Sequence, residues 1–142
     1  MDISHLGTKN IAEEGKWFRV ELYGEKQDFW INVLGDDSDK CQHFQYKMLK
    51  KVNAGTTDKK LNDEVIDELK DIDIESAVVR INGITGGTDK PDKKEPVILN
   101  GRTIGNNADD YRYLLEQIPA LKKWIANKAA ERSNFLSKTK RD

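Results

Sequence analysis

Lys16-Trp17-Phe18-Arg19-Val20-Glu21-Leu22-Tyr23, then Gly24-Glu25-Lys26-Gln27, then Asp28-Phe29-Trp30-Ile31-Asn32-Val33-Leu34, is the stretch whose reading decides the fold class. Side chains alternate across a strand, so Phe18, Val20 and Leu22 share one face of the first run, and Phe29, Ile31 and Val33 share one face of the second. Two runs rich in aromatic and β-branched residues, joined by a short glycine-containing link, predict a β-hairpin turning over residues 24–27. A lone hairpin is marginal in water, so other elements must cover its apolar face.

Downstream, Gly35-Asp36-Asp37-Ser38-Asp39 breaks the alternation, and Asp37 or Ser38 offers an oxygen to cap a helix. Cys41, Phe44, Met48 and Val52, with Leu49 beside them, then form a helical stripe that ends at Asn53-Ala54-Gly55. A second helix starts at Thr57 or Asp58 and carries Leu61, Val65, Leu69 and Ile72. Ala77-Val78-Val79-Arg80-Ile81 either continues that helix or begins a strand, and periodicity does not choose. Residues 82–107 are punctuated by Asn82-Gly83, Gly86-Gly87, Pro91, Pro96 and Gly105, all read as turns, with a mobile polar stretch from Thr88 to Glu95. Within this region residues 97–104 form a small hairpin around Asn100-Gly101, a pair suited to the positive φ angles of a type I′ turn. Asn107 caps a helix carrying Tyr111, Leu114, Leu115 and Ile118. Pro119 ends it and starts another, with Leu121, Trp124, Ile125 and Ala129 on its apolar face. Ser133-Asn134-Phe135-Leu136 closes that helix and residues 137–142 are a polar tail.

Upstream, residues 1–15 lack periodicity and are expected as a loose lead-in without the apolar region of a signal peptide. The 142 residues suit a single α+β domain: an N-terminal β-hairpin packed on a small helical bundle, with a second hairpin before the C-terminal helices. The 35% of charged residues and 37% of hydrophobic ones imply a modest core inside a heavily solvated shell. The 24 basic and 25 acidic residues nearly cancel, so no whole-molecule field points to nucleic acid or an anionic membrane. Locally, residues 1–71 carry a net −4 and residues 119–142 a net +5. That basic end is either a solvated face that suits the helix dipole or a surface for a partner. No apolar run is long enough for a transmembrane helix, and a single cysteine excludes an intramolecular disulfide.

Candidate chemistry is sparse. Cys41 and His43 stand two apart on a helix and point to different faces, so a core cysteine is the better reading. Asp36, Asp37 and Asp39 lack the ligand spacing of a calcium loop and suit turn and cap duty. His5 and His43 make a poor metal site, and Gly83-Ile84-Thr85-Gly86-Gly87 lacks the signature of a phosphate loop. No catalytic, cofactor or metal residues are expected. Trp17, Tyr23, Phe29 and Trp30 are explained by a small sheet packed on helices better than by a nucleic-acid stacking platform, because their neighbours are mixed in charge.

Two blocks of this chain resemble the tail assembly chaperones of long-tailed, non-contractile bacteriophages. The first runs from Lys16-Trp17-Phe18 through Asp28-Phe29-Trp30-Ile31-Asn32-Val33-Leu34-Gly35-Asp36-Asp37-Ser38-Asp39. The second comprises Asp110-Tyr111, Gln117-Ile118-Pro119, Trp124-Ile125 and Arg132-Ser133-Asn134-Phe135-Leu136. The resemblance covers about half the chain in the family's order. It departs where many relatives carry Trp-Gly after the central helix, since this chain has Ile81-Asn82-Gly83-Ile84.

The resemblance implies a non-enzymatic protein of the host cytoplasm, absent from the mature virion. Such a protein binds and solubilises the tape measure protein and helps recruit tail tube subunits. Self-association is open, and no nucleic-acid or membrane partner is expected. An uncovered apolar stripe on a tape measure helix needs a complementary surface. The exposed edges of Trp124, Tyr111 and Tyr113, flanked by Lys122, Lys123 and Lys128, are the expected docking surface. The alternatives are a structural head–tail or tail component of the virion, and a small nucleic-acid-binding module.

Overall fold

The computed structural model describes residues 1–55 and 63–136. The elements in chain order are α1 (Lys9–Glu14), β1 (Lys16–Leu22), β2 (Glu25–Val33), α2 (Asp39–Gly55), α3 (Asp63–Arg80), β3 (Ile81–Gly86), β4 (Val97–Leu99), β5 (Arg102–Ile104), α4 (Ala108–Gln117) and α5 (Ala120–Ala130). Single 3-10 turns lie at Ser4–Leu6 and Arg132–Phe135. The fold class is α+β, with the expected N-terminal hairpin and a second hairpin before the C-terminal helices.

The first hairpin gains a third strand. The sheet order is β1-β2-β3, antiparallel throughout, with Phe18 opposite Ile31 and Ile31 opposite Ile84. Val20, Ile31, Val33 and Ile84 bury one face of this sheet against Ala77 and Val78 of α3, Leu114 and Leu115 of α4, and Leu121 and Ile125 of α5. The turn between β1 and β2 is tighter than expected. It uses Tyr23 and Gly24, with φ of 57° and 77°, so Glu25, Lys26 and Gln27 belong to β2. The Asn100-Gly101 turn has the anticipated geometry, with φ of 53° and 78°.

β3 corrects the reading of Asn82-Gly83 and Gly86 as turns. Gly83 sits inside the sheet, where an added Cβ would lie 3.1 Å from the Trp17 indole. Trp17 pairs with Asn32, which pairs with Gly83, so the ring of β1 reaches over the missing side chain of β3. Of Gly83, Gly86 and Gly87, only Gly87 has a positive φ, at 128°. The open choice at residues 77–81 resolves both ways: helix runs to Arg80 and strand begins at Ile81.

The stretch 88–95, expected as mobile, is tied to the sheet. Asp92 N–H donates to Gly86 O at 2.8 Å, Gly86 N–H donates to Glu95 O at 2.9 Å, and Thr85 Oγ1 donates to Asp92 O. Within the expected loose lead-in of residues 1–15, Lys9–Glu14 form α1, while Met1, Ile3 and Leu6 are exposed. Ala12 of α1 is fully buried, and its carbonyl accepts the Gly35 N–H at 3.0 Å. One buried contact in a six-residue helix is too little to show as periodicity.

Ser38 is the cap of α2, its Oγ accepting the Cys41 N–H at 3.3 Å. Asn107 caps α4 as expected, accepting the Asp110 N–H at 2.9 Å. The expected start of the second helix at Thr57 or Asp58, with Leu61, and the tail at 137–142 lie outside the described residues.

Candidate functional site

The loop between β2 and α2 is a junction. Its two aspartates, and Asp39 at the start of α2, each hold a different part of the chain. Asp36 Oδ1 accepts from Arg80 Nε at 2.8 Å, and that guanidinium is nearly buried at the end of α3. Asp37 takes Arg132 across both carboxylate oxygens at 3.0–3.2 Å and accepts from the Thr8 hydroxyl. Arg132 first, and Thr8 second, hold the Asp37 carboxyl below the usual carboxylate range. Asp39 pairs with Lys9 of α1 at 3.0 Å. Backbone contacts tighten the same knot: Asp36 N–H donates to Ala129 O at 3.0 Å. A Cβ on Gly35 would come within 3.0 Å of the Phe135 ring. The aspartates thus do more than turn and cap duty; they join α1, α3 and the end of α5. Sequence reasoning missed these pairs, because Asp36 and Arg80, or Asp37 and Arg132, share no local pattern.

The expected docking surface is only partly assembled. Tyr111 is a correction: it is 6% exposed, within the core, and its hydroxyl donates to Asn106 Oδ1 at 3.1 Å. Burial pushes its phenol up to about 12. The apolar stripe of α4 must face the sheet, and Tyr111 lies on that stripe with Leu114 and Leu115. Tyr113 is half-buried under the β4–β5 hairpin, with the Arg102 guanidinium 4.4 Å from its ring centre. Lys122 is engaged with Asp73 at 2.7 Å, tying α5 to α3.

Trp124 and Lys128 do come together. The Trp124 ring meets Phe18 edge-on at 6.4 Å, and the Lys128 ammonium lies 5.3 Å from the Phe18 centroid and 5.8 Å from that of Trp124. Lys123 beside them is exposed. A notch of about 420 Å³ opens here between Trp124 and Asn127 of α5, Glu131 just beyond it, and Glu21 and Gly24 of the first hairpin. Its walls combine one aromatic edge with several polar groups.

A more apolar groove lies elsewhere, between α2 and α3. It encloses about 440 Å³ over a floor of Phe44, Met48, Ile72 and Val79. Lys40, His43, Lys47 and Lys51 line it from α2, and Glu68, Asp71 and Glu75 from α3. Nearby, Tyr46, Leu49 and Leu69 are 48–68% exposed. Of the described α2 side chains only Cys41 is buried, and burial pushes its thiol up, against a nucleophilic role. His43 is exposed on the groove wall.

On the sheet, Phe18 and Phe29 pack toward the helices. Trp17 and Trp30 occupy the other face, with Trp30 Nε1 donating to Gly87 O at 3.1 Å. Among the described residues no group of three or more His, Cys, Asp or Glu is placed to hold a metal ion. No helix among them is long and apolar enough to cross a membrane. No protein-family model, curated protein or solved structure matches this chain.

Proposed function

We propose that this chain is a tail assembly chaperone of a long-tailed bacteriophage, a non-enzymatic protein that binds the tape measure protein during assembly and helps recruit tail tube subunits. One observation carries the reading. The two sequence blocks that resemble the family, far apart in the chain, meet in the fold through Asp37 with Arg132 and Gly35 beside Phe135. Residue types shared with the family therefore have a common physical task in this chain: closing the C-terminal turn onto the β2–α2 junction.

The proposed docking surface is the Trp124 notch with Lys123 and Lys128, since an aromatic edge beside cations suits an amphipathic helix with an acidic border. On this reading the protein acts in the host cytoplasm and leaves before the virion is finished. Co-expression with the tape measure protein of the same virus is the test. The expected result is a soluble complex, weakened by Trp124→Ala combined with Lys123→Glu in a chain whose circular dichroism is unchanged. A ruler that stays insoluble and unbound would overturn the function. Capture unaffected by the double variant would overturn the surface alone. Mass spectrometry of purified particles separates this reading from a virion component, which would be present in them.

A further inference from the structure

The α2–α3 groove has apolar residues on its floor and opposite charges on its two rims. Lys40, Lys47 and Lys51 repeat along α2, and Glu68, Asp71 and Glu75 repeat along α3, at helical spacings of three, four and seven. The lysines extend over about 16 Å of α2 and the carboxylates over about 10 Å of α3. Glu75 is held by Arg112, with Nη2 to Oε2 at 3.1 Å. Among the described residues no ion pair bridges the rims, and Lys47, Lys51, Glu68 and Asp71 pair with no other described residue. The start of α2 lies beside the end of α3, since Lys40 shares a second cavity with Glu75, Val78 and Val79. Lys51 accordingly stands level with Glu68, and Lys47 level with Asp71.

We infer that this groove is a self-complementary interface for a second copy of the chain. Two helical arms placed groove to groove form a four-helix bundle, and an isologous two-fold makes each contact twice. Two axes are open to such a pair. An axis across the helices sets α2 over α2 and stacks lysine on lysine. An axis along the helices sets α2 over α3 of the other copy, so that Lys51 meets Glu68 and Lys47 meets Asp71 at matching levels. The charges select the second arrangement, and Phe44, Met48, Ile72 and Val79 of both copies close its core. The contact is some three turns long, below the usual size of a stable dimer interface, so association is weak and concentration-dependent. A second copy is preferred over a foreign helix because it carries the complementary stripe and both complementary rims.

Sedimentation equilibrium of the full chain over a wide concentration range is the test. The 16.2 kDa monomer should convert to a species of twice that mass. Lys47→Glu with Lys51→Glu makes both rims acidic, and Glu68→Lys with Asp71→Lys makes both basic. These positions are all exposed, so the fold should survive, as circular dichroism will report. Each variant alone should dimerise about tenfold or more weakly, and a one-to-one mixture should recover wild-type association.

A second readout does not depend on charge reversal. Lys51→Cys and Glu68→Cys chains, each carrying Cys41→Ser, are mixed with a short bis-maleimide and should give a covalent heterodimer. A wild-type chain monomeric at all concentrations overturns the proposal, as do reversals without effect, a mixture that fails to recover, or absent cross-linking. A monomer that instead binds an added amphipathic helix in this groove assigns it to a foreign partner. None of these outcomes bears on capture through the Trp124 notch.

Discussion

The body of the molecule and its α2–α3 arm are built from similar residue types but spend them differently. In the body, α4, α5 and the end of α3 press their apolar stripes on the sheet, and Leu114, Leu115, Leu121, Ile125 and Phe135 are each no more than 1% exposed. In the arm, Phe44, Met48 and Ile72 are only half-buried, although their spacing is as regular. A helical stripe therefore shows that a face wants cover, and the rest of the chain decides whether cover arrives. The polar groups follow the same division. The body's charges are tied into Asp36–Arg80, Asp37–Arg132 and Arg102–Asp110 pairs, whereas Lys47, Lys51, Glu68 and Asp71 on the rims of the arm pair with no described residue.

The comparison breaks most readily at its apolar side chains. Phe135→Ala should cost about 3–5 kcal/mol in urea unfolding, because it empties a fully enclosed site. Phe44→Ala should cost about 1 kcal/mol or less, since its side chain is already half in water. Equal losses would show that the arm is as well packed as the body.

Arg80→Met ranks next, at about 3 kcal/mol, because it strips Asp36 of its guanidinium in a largely dry junction. A thermal melt that hardly moves would mean water replaces the arginine there.

Tyr111→Phe sharpens the contrast by pH. At neutrality it should lose about 1 kcal/mol with the hydrogen bond to Asn106. In the native chain the phenol is held up to about 12, while in the unfolded chain it ionises near the ordinary value of about 10. Stability from the neutral phenol is thus complete below that ordinary value and is lost as pH rises from there toward 12. The phenylalanine variant should lack this alkaline loss, which unfolding midpoints measured against pH will read.

The smallest effect is Asp37→Asn, under about 1 kcal/mol at neutral pH, since Arg132 is largely exposed. The native Asp37 carboxyl is held low by Arg132, so its contribution is present above the usual carboxylate range and fades as pH falls through the depressed value. The variant should flatten that acid limb in the same measurement.

Both hairpins, the Ser38 and Asn107 caps and the break at Pro119 were legible because each depends on neighbours within a few residues. β3 was not legible. Asn82-Gly83 has the composition of a turn, and its glycine leaves room for the Trp17 ring, which reaches it from two strands away. α1 was missed for a related reason: Ala12 becomes a core residue only once Gly35 and Phe135 arrive beside it. The candidate surface was half legible. Trp124 and Lys128 do gather, but a tyrosine on a helix edge looks the same in sequence whether it faces solvent or the core, and Tyr111 faces the core.

Local chemistry alone determined the two hairpins and the helices after residue 38, where most of them begin, and which of their faces are apolar, because hydrogen-bond caps and side-chain periodicity act over a single turn or rung. The tertiary structure alone decided which stripes are covered, which aspartate meets which arginine, and why a glycine sits inside a strand. Those outcomes depend on groups brought together from 44 to 95 residues apart, and such long-range contacts leave no pattern in any window of the chain.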